Sequence, residues 1–310
     1  MNVGTATYRK NMKLAVLLSN LLFFTNAKLS SAQTDRPRRV ALVTGANKGI
    51  GKEIARRLGS ELGVVVVMGC RDIQLGLSAA NELTKSGCNV IFHRLDLTDN
   101  ASVESVRQFI LHEYGQLDIL VNNAAICFND PTLYGKCGYT SFRDQAEPTL
   151  ATNFFGTLHV TQALLPILRL STSPRIVNVA SAAGRLSILR SKEKIDAFTS
   201  TDLELNVLQD LISQFEYDVK TGKHLENGWP NTCYGMSKLG VIAMTKILAR
   251  AEPSIMINSV DPGYCKTDQN ANQGTLPVEF GARTPVWLSL LPNQDFITGS
   301  HFFDQKKINW

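Results

Sequence analysis

The sequence has few of the features that define metal-binding or disulfide-rich proteins. Its 310 residues contain six cysteines, but no Cys-x-x-Cys pair, and no cysteine lies at zinc-ligand spacing from a histidine. The cysteine density is also far below that of a disulfide-stapled secreted scaffold. We therefore predict no metal site, buried reduced thiols and a cytoplasmic protein.

Most of the chain has no excess of either positive or negative charge. The 32 basic and 27 acidic residues give a net charge of +5, but six of the basic residues and one of the acidic residues lie within residues 1–38. Removing these from the totals of 32 and 27 leaves 26 of each sign in residues 39–310. A nucleic-acid-binding protein needs a concentrated basic face, so this class of partner is excluded.

A hydrophobic run of membrane-spanning length is also lacking. The N-terminal apolar run, residues 14–24, is interrupted by Ser19 and Asn20, whereas a spanning helix needs about 20 apolar residues. Basic residues precede this run and small residues follow it, as in a signal peptide. Three interpretations of residues 1–38 stay open: a signal or signal anchor for the secretory pathway and ER, an organelle-targeting segment within residues 12–32, or a dispensable extension.

Residues 39–310 show the alternation of strands and helices that predicts one doubly wound α/β domain. The predicted strands are almost wholly apolar, which is typical of parallel strands buried on both faces. They cover residues 40–44, 64–69, 89–95, 118–122, 175–180 and 255–260, with a weaker one at 301–303. Helices are predicted at residues 51–62, 73–85, 101–114, 145–170 and 234–251.

One segment, residues 182–233, interrupts this alternation, because compact α/β domains normally have connections of roughly 2–6 residues. Its helix-patterned part, residues 203–220, has apolar residues at three- and four-residue steps that would form one buried face: Leu203, Leu205, Leu208, Leu211, Ile212 and Phe215. We predict a helical flank that covers the domain; the alternative is a disordered surface loop.

The first predicted strand runs into a glycine-rich turn, TGANKGIG, that opens the first helix. Glycines let the backbone approach a pyrophosphate closely, and the helix N-terminus offers free N–H groups. The motif predicts a dinucleotide site, although a glycine cluster also occurs in ordinary strand-to-helix turns. Its candidate binding residues are Gly45, Asn47, Lys48, Gly49, Ile50 and Gly51.

A basic residue, Arg71, follows the second strand, where NAD enzymes place an acidic ribose ligand. Together with Lys48 it would pair with the 2′-phosphate of NADP(H). In the alternative, both cations are solvated and Asp72 binds the ribose. Further along, Asp96-Leu97 and Asn123-Ala124 end the next two strands and would line the adenosine site, unless Asp96 only caps the following helix.

Tyr234 and Lys238 lie four residues apart on a predicted helix and so share one face. A neighbouring ammonium favours the phenolate, which would lower the pKa of the tyrosine towards a useful acid–base range. Ser181, at a strand end, would hydrogen-bond a substrate carbonyl beside Tyr234. Asn153 would hold a relay water near Lys238; the alternative is a helix-packing residue.

Together these motifs resemble the short-chain dehydrogenase/reductase superfamily over essentially all of residues 39–310. They include TGANKGIG, NNAA in place of the usual NNAG, YGMSK and the DPG of residues 261–263. The long insertion, GWPNTCYGMSK, NFFGT and TPVWLSLLP resemble its carbonyl reductase subgroup, which includes animal carbonyl reductases and plant menthone and salutaridine reductases.

The resemblance implies a sheet of about seven parallel strands, a monomer, and NADPH-dependent reduction of a ketone, aldehyde or quinone. The implied roles are proton donation by Tyr234, ribose binding by Lys238, carbonyl orientation by Ser181, relay support by Asn153 and cofactor contact by Pro262, Gly263 and Thr267. Ala125 departs from the family by adding a methyl group near the cofactor.

Substrate-pocket residues are harder to choose from the sequence. Trp229 and Tyr264 would wall an apolar pocket, or they are ordinary packing residues. Two other functions stay open: an NADP-dependent alcohol dehydrogenase that works in the oxidative direction, and a non-catalytic protein that senses dinucleotide occupancy. The presence of all four candidate catalytic residues argues against the second.

The pair of cations predicts a cofactor preference that kinetics can test. Replacing Lys48 and Arg71 together by neutral residues removes charge-assisted bonds worth about 1.5–3 kcal/mol each. We expect the Michaelis constant for NADPH to rise far more than that for NADH. Equal effects on the two cofactors would show that neither side chain binds the 2′-phosphate.

Overall fold

A computed structural model describes residues 38–128 and 140–310. The signal-like N-terminal segment, up to residue 37, lies outside the described residues. Residues 38–310 form one compact unit. No helix of the described ranges is long and apolar enough to cross a membrane.

The domain is built on one eight-stranded sheet with the strand order β3-β2-β1-β4-β5-β6-β7-β8. Strands β1 to β7 pair in parallel, and β8 pairs antiparallel to β7. The predicted doubly wound parallel sheet is therefore confirmed, with one strand more than expected. The strands are β1 (Arg39–Thr44), β2 (Val64–Cys70), β3 (Val90–Arg94), β4 (Ile119–Asn122), β5 (Arg175–Val179), β6 (Met256–Asp261), β7 (His301–Phe303) and β8 (Lys306–Ile308).

Helices cover both faces of the sheet. They are α1 (Gly49–Ser60), α2 (Ile73–Lys85), α3 (Asn100–Tyr114), α4 (Phe142–Leu150), α5 (Thr157–Leu168), α6 (Lys192–Thr199), α7 (Leu205–Thr221), α8 (Cys233–Ala251) and α9 (Val278–Leu290). Short 3₁₀ turns occur at Ala182–Gly184, Leu186–Ile188, Asp268–Asn270 and Asn293–Asp295.

The apolar strands separate two cores because side chains of a strand alternate between its faces. In β1, Leu42 belongs to one core and its neighbours Ala41 and Val43 belong to the other. The first core is closed by α3, α4, α5, α7 and α8, and the second by α1, α2 and α9. Burial on both faces explains why these strands lack polar alternation.

The helix predicted at residues 145–170 is interrupted in the structure. A π-helical segment, Ala151–Gly156, separates α4 from α5. The spacing of hydrophobic residues does not predict such a segment, because six π-helical residues hardly change which side chains face the core. It places Asn153 and Phe154 in the core.

The insertion before Tyr234 is helical, as predicted, and it covers the domain. Helix α7 contacts α4 and α8 and buries Leu208, Ile212 and Phe215. Gly240 of α8 permits this contact, since a Cβ there would lie 3.0 Å from Ile212 Cδ1 and 2.8 Å from Phe154 Cδ2. The alternative of a disordered loop is wrong.

Candidate functional site

A cavity of about 530 Å³ lies where the carboxyl ends of the parallel strands meet, as expected for a doubly wound sheet. It brings together eighteen of the twenty site residues that the sequence predicts. These are Gly45, Asn47, Lys48, Gly49, Ile50, Gly51, Arg71, Asp96, Leu97, Asn123, Ala124, Ser181, Tyr234, Lys238, Pro262, Gly263, Tyr264 and Thr267. Asn153 and Trp229 do not line it.

The glycine-rich turn is held tightly against the end of β4. Gly45 and Gly49 have φ angles of +65° and +57°, a region that favours glycine. A Cβ on Gly51 would lie 2.3 Å from Asn123 Nδ2, whose amide donates to Thr44 O at 2.9 Å. The position before α1, Lys48, makes no side-chain cap, and the first residues of the helix line the cavity. The free N–H groups of such a helix end suit an anionic group.

Thr44 is a structural residue of this site that sequence reasoning missed. Its buried Oγ1 accepts hydrogen bonds from the backbone N–H of Asn123 at 3.0 Å and of Ala124 at 2.9 Å. The hydroxyl therefore joins the ends of β1 and β4. A threonine at the end of a strand preceding glycine was the available signal, but many threonines in strands have no such role.

The two candidate phosphate-binding cations lie at one end of the cavity. Arg71 is exposed, and Lys48 Nζ pairs with Asp268 Oδ2 at 3.2 Å, with both side chains more than half exposed. Asp72 is engaged elsewhere: it caps α2, where its carboxylate accepts from the Leu75 N–H at 2.9 Å. This arrangement favours Arg71 over Asp72 as the ligand at the end of β2.

Asp96 lines the cavity and does not cap the next helix. Asp99 is the N-cap of α3, since its Oδ1 accepts from two N–H groups of the first turn. Asp96 instead accepts from the backbone N–H and hydroxyl of Thr98 at 3.1 and 2.8 Å. These bonds fix the carboxylate at the edge of the cavity.

Tyr234 and Ser181 meet in the cavity. The side chains of Ser181 and Gln269 lie close enough to the Tyr234 phenol for both to lower its pKa. Ser181 Oγ also accepts from the Ala183 N–H at 3.1 Å, which fixes the position of the hydroxyl. Gln269, from the 3₁₀ turn after β6, is a second residue that sequence reasoning missed; no local pattern distinguishes it from other surface glutamines.

The pKa values of the tyrosine and lysine shift in directions that the sequence did not predict. Burial raises the pKa of Tyr234, and the negative charge available to Cys127 acts in the same direction. Burial lowers the pKa of Lys238 to about 8. The direction expected for the tyrosine, a lowered pKa, is not found, because desolvation by burial disfavours the phenolate and is the largest influence on it.

Lys238 is directed towards the end of β5. Its Nζ donates to Val179 O at 2.8 Å and lies 5.7 Å from the centroid of the Tyr234 ring. The lysine is thus fixed beneath the tyrosine, on the same side of α8, as their spacing predicts.

Asn153 is a buried packing residue in this structure. Its Oδ1 accepts from the Ile126 N–H at 2.8 Å, and its Nδ2 donates to Ile126 O at 2.8 Å and to Ser237 Oγ at 3.1 Å. Two of these bonds connect Asn153 to the segment after β4, and the third connects it to α8 beside Lys238. The predicted relay role of Asn153 stays a prediction. The alternative interpretation, a helix-packing residue, fits these contacts.

The predicted position of Trp229 in the wall of the substrate pocket is wrong. Its side chain is fully buried in the insertion, where the indole N–H donates to Asp218 Oδ2 at 2.8 Å and the ring packs edge-on against Phe215. It is a core residue and no part of the substrate cavity. Tyr264, in contrast, is 45% exposed and lines the cavity.

Comparison with known proteins agrees with this geometry. Residues 39–191 match the family described as short chain dehydrogenase. The chain is 42% identical over 268 residues to carbonyl reductase [NADPH] 3 of Mus musculus, covering 82% of this chain and 91% of that protein. It is 36% identical to (+)-neomenthol dehydrogenase of Capsicum annuum, covering 90% and 99%.

Among solved structures, salutaridine reductase from Papaver somniferum superposes with a TM-score of 0.78 at 35% identity, covering 86% of this chain and all of that one. Menthone neomenthol reductase from Mentha piperita gives a TM-score of 0.74 at 33% identity, with coverage of 87% and 99%. The resemblance stated from the motifs is therefore confirmed.

The contacts of Asn153 predict its effect on stability. Asn153→Ala leaves the half-buried Ile126 N–H and C=O without these partners, at about 1–2 kcal/mol for each group. We expect the free energy of unfolding in urea to fall by about 2–4 kcal/mol. Ser237→Ala, the matched control, keeps both Ile126 bonds; it removes the third bond and the bond that Ser237 Oγ donates to Tyr234 O, and it should cost about 1 kcal/mol. Equal losses in the two variants would contradict the assigned role.

Proposed function

This chain belongs to the short-chain dehydrogenase family, and from that premise we propose that it is an NADPH-dependent carbonyl reductase that converts a ketone, aldehyde or quinone to the alcohol. The observation that carries the proposal is the meeting of Tyr234, Ser181 and Lys238 at the cavity that the glycine-rich turn borders. One end of this cavity suits a dinucleotide and the other holds an acid beside a hydroxyl.

The residues present fit NADPH. The glycine turn offers N–H groups to a pyrophosphate, Arg71 and Lys48 offer cations to a 2′-phosphate, and Asp96 lies where an adenosine would be held. Lys238, Pro262, Gly263 and Thr267 would hold the nicotinamide end. When bound, NADPH supplies the hydride for reduction of the carbonyl carbon.

Tyr234 is the proposed proton donor to the carbonyl oxygen. Its raised pKa keeps the phenol protonated at neutral pH, which a general acid requires. Donation leaves a phenolate in a buried place, and protonated Lys238, with a pKa of about 8, would stabilise that charge. The same raised pKa opposes the oxidative direction, in which Tyr234 would have to act as a base.

Ser181 is the proposed orienting group. Its hydroxyl lies close enough to the Tyr234 phenol to lower the pKa of that group, so a carbonyl oxygen that accepts from the tyrosine also comes within reach of the serine. Two donors at one oxygen would fix its direction and stabilise the negative charge that develops there. Apolar Ile126 and the ring of Tyr264 border the same cavity and suit an uncharged substrate.

We also propose that residues 39–310 act as a single domain and that the enzyme is a monomer. Helix α7 covers α4 and α8, whose surfaces related enzymes use for association. A cytoplasmic location is our proposal as well, because buried thiols such as Cys233 are typical of reducing compartments.

Replacing the proposed acid tests the mechanism. We expect Tyr234→Phe to reduce carbonyl turnover with NADPH by at least the roughly 10²–10⁴-fold attributed to general acid–base catalysis. Cofactor affinity, measured by NADPH fluorescence, should be nearly unchanged because the ring remains. Tyr217→Phe, on the exposed side of α7, is the control and should have wild-type turnover. Near-normal turnover in Tyr234→Phe would disprove the mechanism.

Analytical ultracentrifugation tests the monomer. The chain from residue 39 onward should sediment as a single species with the mass of one copy, and the insertion should resist limited proteolysis. A stable tetramer would contradict the proposal, as would rapid cleavage within Leu205–Thr221 while the remainder survives.

A further inference from the structure

We propose that Trp310 is a positioning residue for the reaction: it holds the Ser181–Gly184 turn against α8 and thereby sets the Ser181 hydroxyl beside Tyr234. The inference rests on the proposed function, since it assigns Ser181 its role at the carbonyl. The observation that supports it is that Trp310 contacts both the Ser181–Gly184 turn and α8, which together form the proposed acid site.

Trp310 is placed by the unpredicted strand β8. The β7–β8 hairpin turns at Asp304 and Gln305, which both have positive φ, as in the two-residue turns that match strand twist. Two bonds fasten this turn to α9: Arg283 pairs with Asp304 at 2.9 Å, and the Gln305 N–H donates to Thr284 Oγ1 at 3.0 Å. The chain beyond β8 therefore starts from a fixed position.

Trp310 contacts the two elements that carry the acid site. Its indole N–H donates to Gly184 O at 3.0 Å, and its ring packs against Ala180, Val241 and Ile242. Ala180 directly precedes Ser181 at the end of β5, and the other two lie one turn beyond Lys238 on α8. The ring thus bridges β5 and α8.

The Ser181–Gly184 turn, which accepts this hydrogen bond at Gly184 O, packs tightly against α8. A Cβ on Gly184 would lie 2.5 Å from Lys238 C and 2.6 Å from Leu239 N. Within the turn, the Gly184 N–H donates to Ser181 O at 2.9 Å. Gly184 therefore lies between α8 and Trp310, and a displacement of Gly184 is transmitted to Ser181.

Such a displacement matters because catalysis depends on precise placement. The Ser181 hydroxyl and the Tyr234 phenol must reach one carbonyl oxygen, and small misplacements of such groups reduce rates strongly. The dinucleotide end of the cavity, around the glycine turn, is made by other strands and does not contact Trp310. Loss of the Trp310 contact should therefore lower kcat and leave cofactor binding unchanged.

The test uses the full chain and the variant Trp310→Phe, which keeps an aromatic ring and removes the N–H donor. We expect kcat for carbonyl reduction to fall about 3- to 10-fold, the equivalent of one hydrogen bond, with the Michaelis constant for NADPH unchanged. Amides of Ala183 and Gly184 should exchange hydrogen faster. Trp287→Phe is the matched control, because Trp287 is also half-buried and packs against Phe302 of the same hairpin.

A double-mutant cycle separates positioning from general destabilisation. In a Ser181→Ala background, measured by single-turnover oxidation of NADPH, Trp310→Phe should cause no further loss. If Trp310→Phe fails to fold, replacement of Trp310 by benzothienylalanine, which exchanges the N–H for sulfur, tests the bond with the ring shape preserved.

Wild-type kcat and amide exchange in the Trp310 variants would overturn the inference, as would an undiminished effect in the Ser181→Ala background. These outcomes differ from failure of the proposed function, in which the wild-type protein itself would reduce no carbonyl substrate.

Discussion

The close approach of helix α8 to the carboxyl end of β5 is the contact on which the proposed acid site, Tyr234 with Ser181 and Lys238, depends. Glycines make it possible: a Cβ on Gly184 would meet the backbone of Lys238, and one on Gly235 would lie 2.7 Å from Ala183 O. Lys238 then reaches Val179 O with a 2.8 Å hydrogen bond. Because strand and helix are in backbone contact, the distance between serine and tyrosine is set by the fold and needs no flexible loop.

The dinucleotide end of the cavity depends on a different junction, between β1 and β4. Asn123 donates two hydrogen bonds to Thr44 there, from its backbone N–H to the hydroxyl and from its side-chain amide to the carbonyl, and the glycine turn follows the joined strand ends. The two halves meet because β1, β4 and β5 are neighbours in one parallel sheet, whose carboxyl ends share an edge. The sheet thus places the dinucleotide end and the proposed acid on one cavity from separate parts of the chain.

Burial changes the pKa values of the Tyr234 and Lys238 side chains at this site. Desolvation raises the pKa of Tyr234 and lowers that of Lys238, and the two shifts suit a protonated acid that becomes a transient phenolate. The insertion supports the same arrangement from outside, because α7 packs on α8 and its buried Asp218 is satisfied by the Trp229 indole. Support therefore reaches α8 from the insertion on one side and from the β7–β8 hairpin on another.

The parallel sheet, the helical insertion and most of the cavity lining could be predicted from the sequence, because apolar strands and the residues that end them are local signals. The contacts of Asn153 and Trp229 could not be predicted in this way, because their polar groups bond to partners elsewhere in the fold that no spacing reveals. Only the tertiary structure decided the direction of the Tyr234 pKa shift, since desolvation depends on everything packed around the ring. Strand β8, with the polar sequence KKI, has no apolar pattern; it forms because β7 offers an edge to pair with, and that pairing brings Trp310 to Gly184.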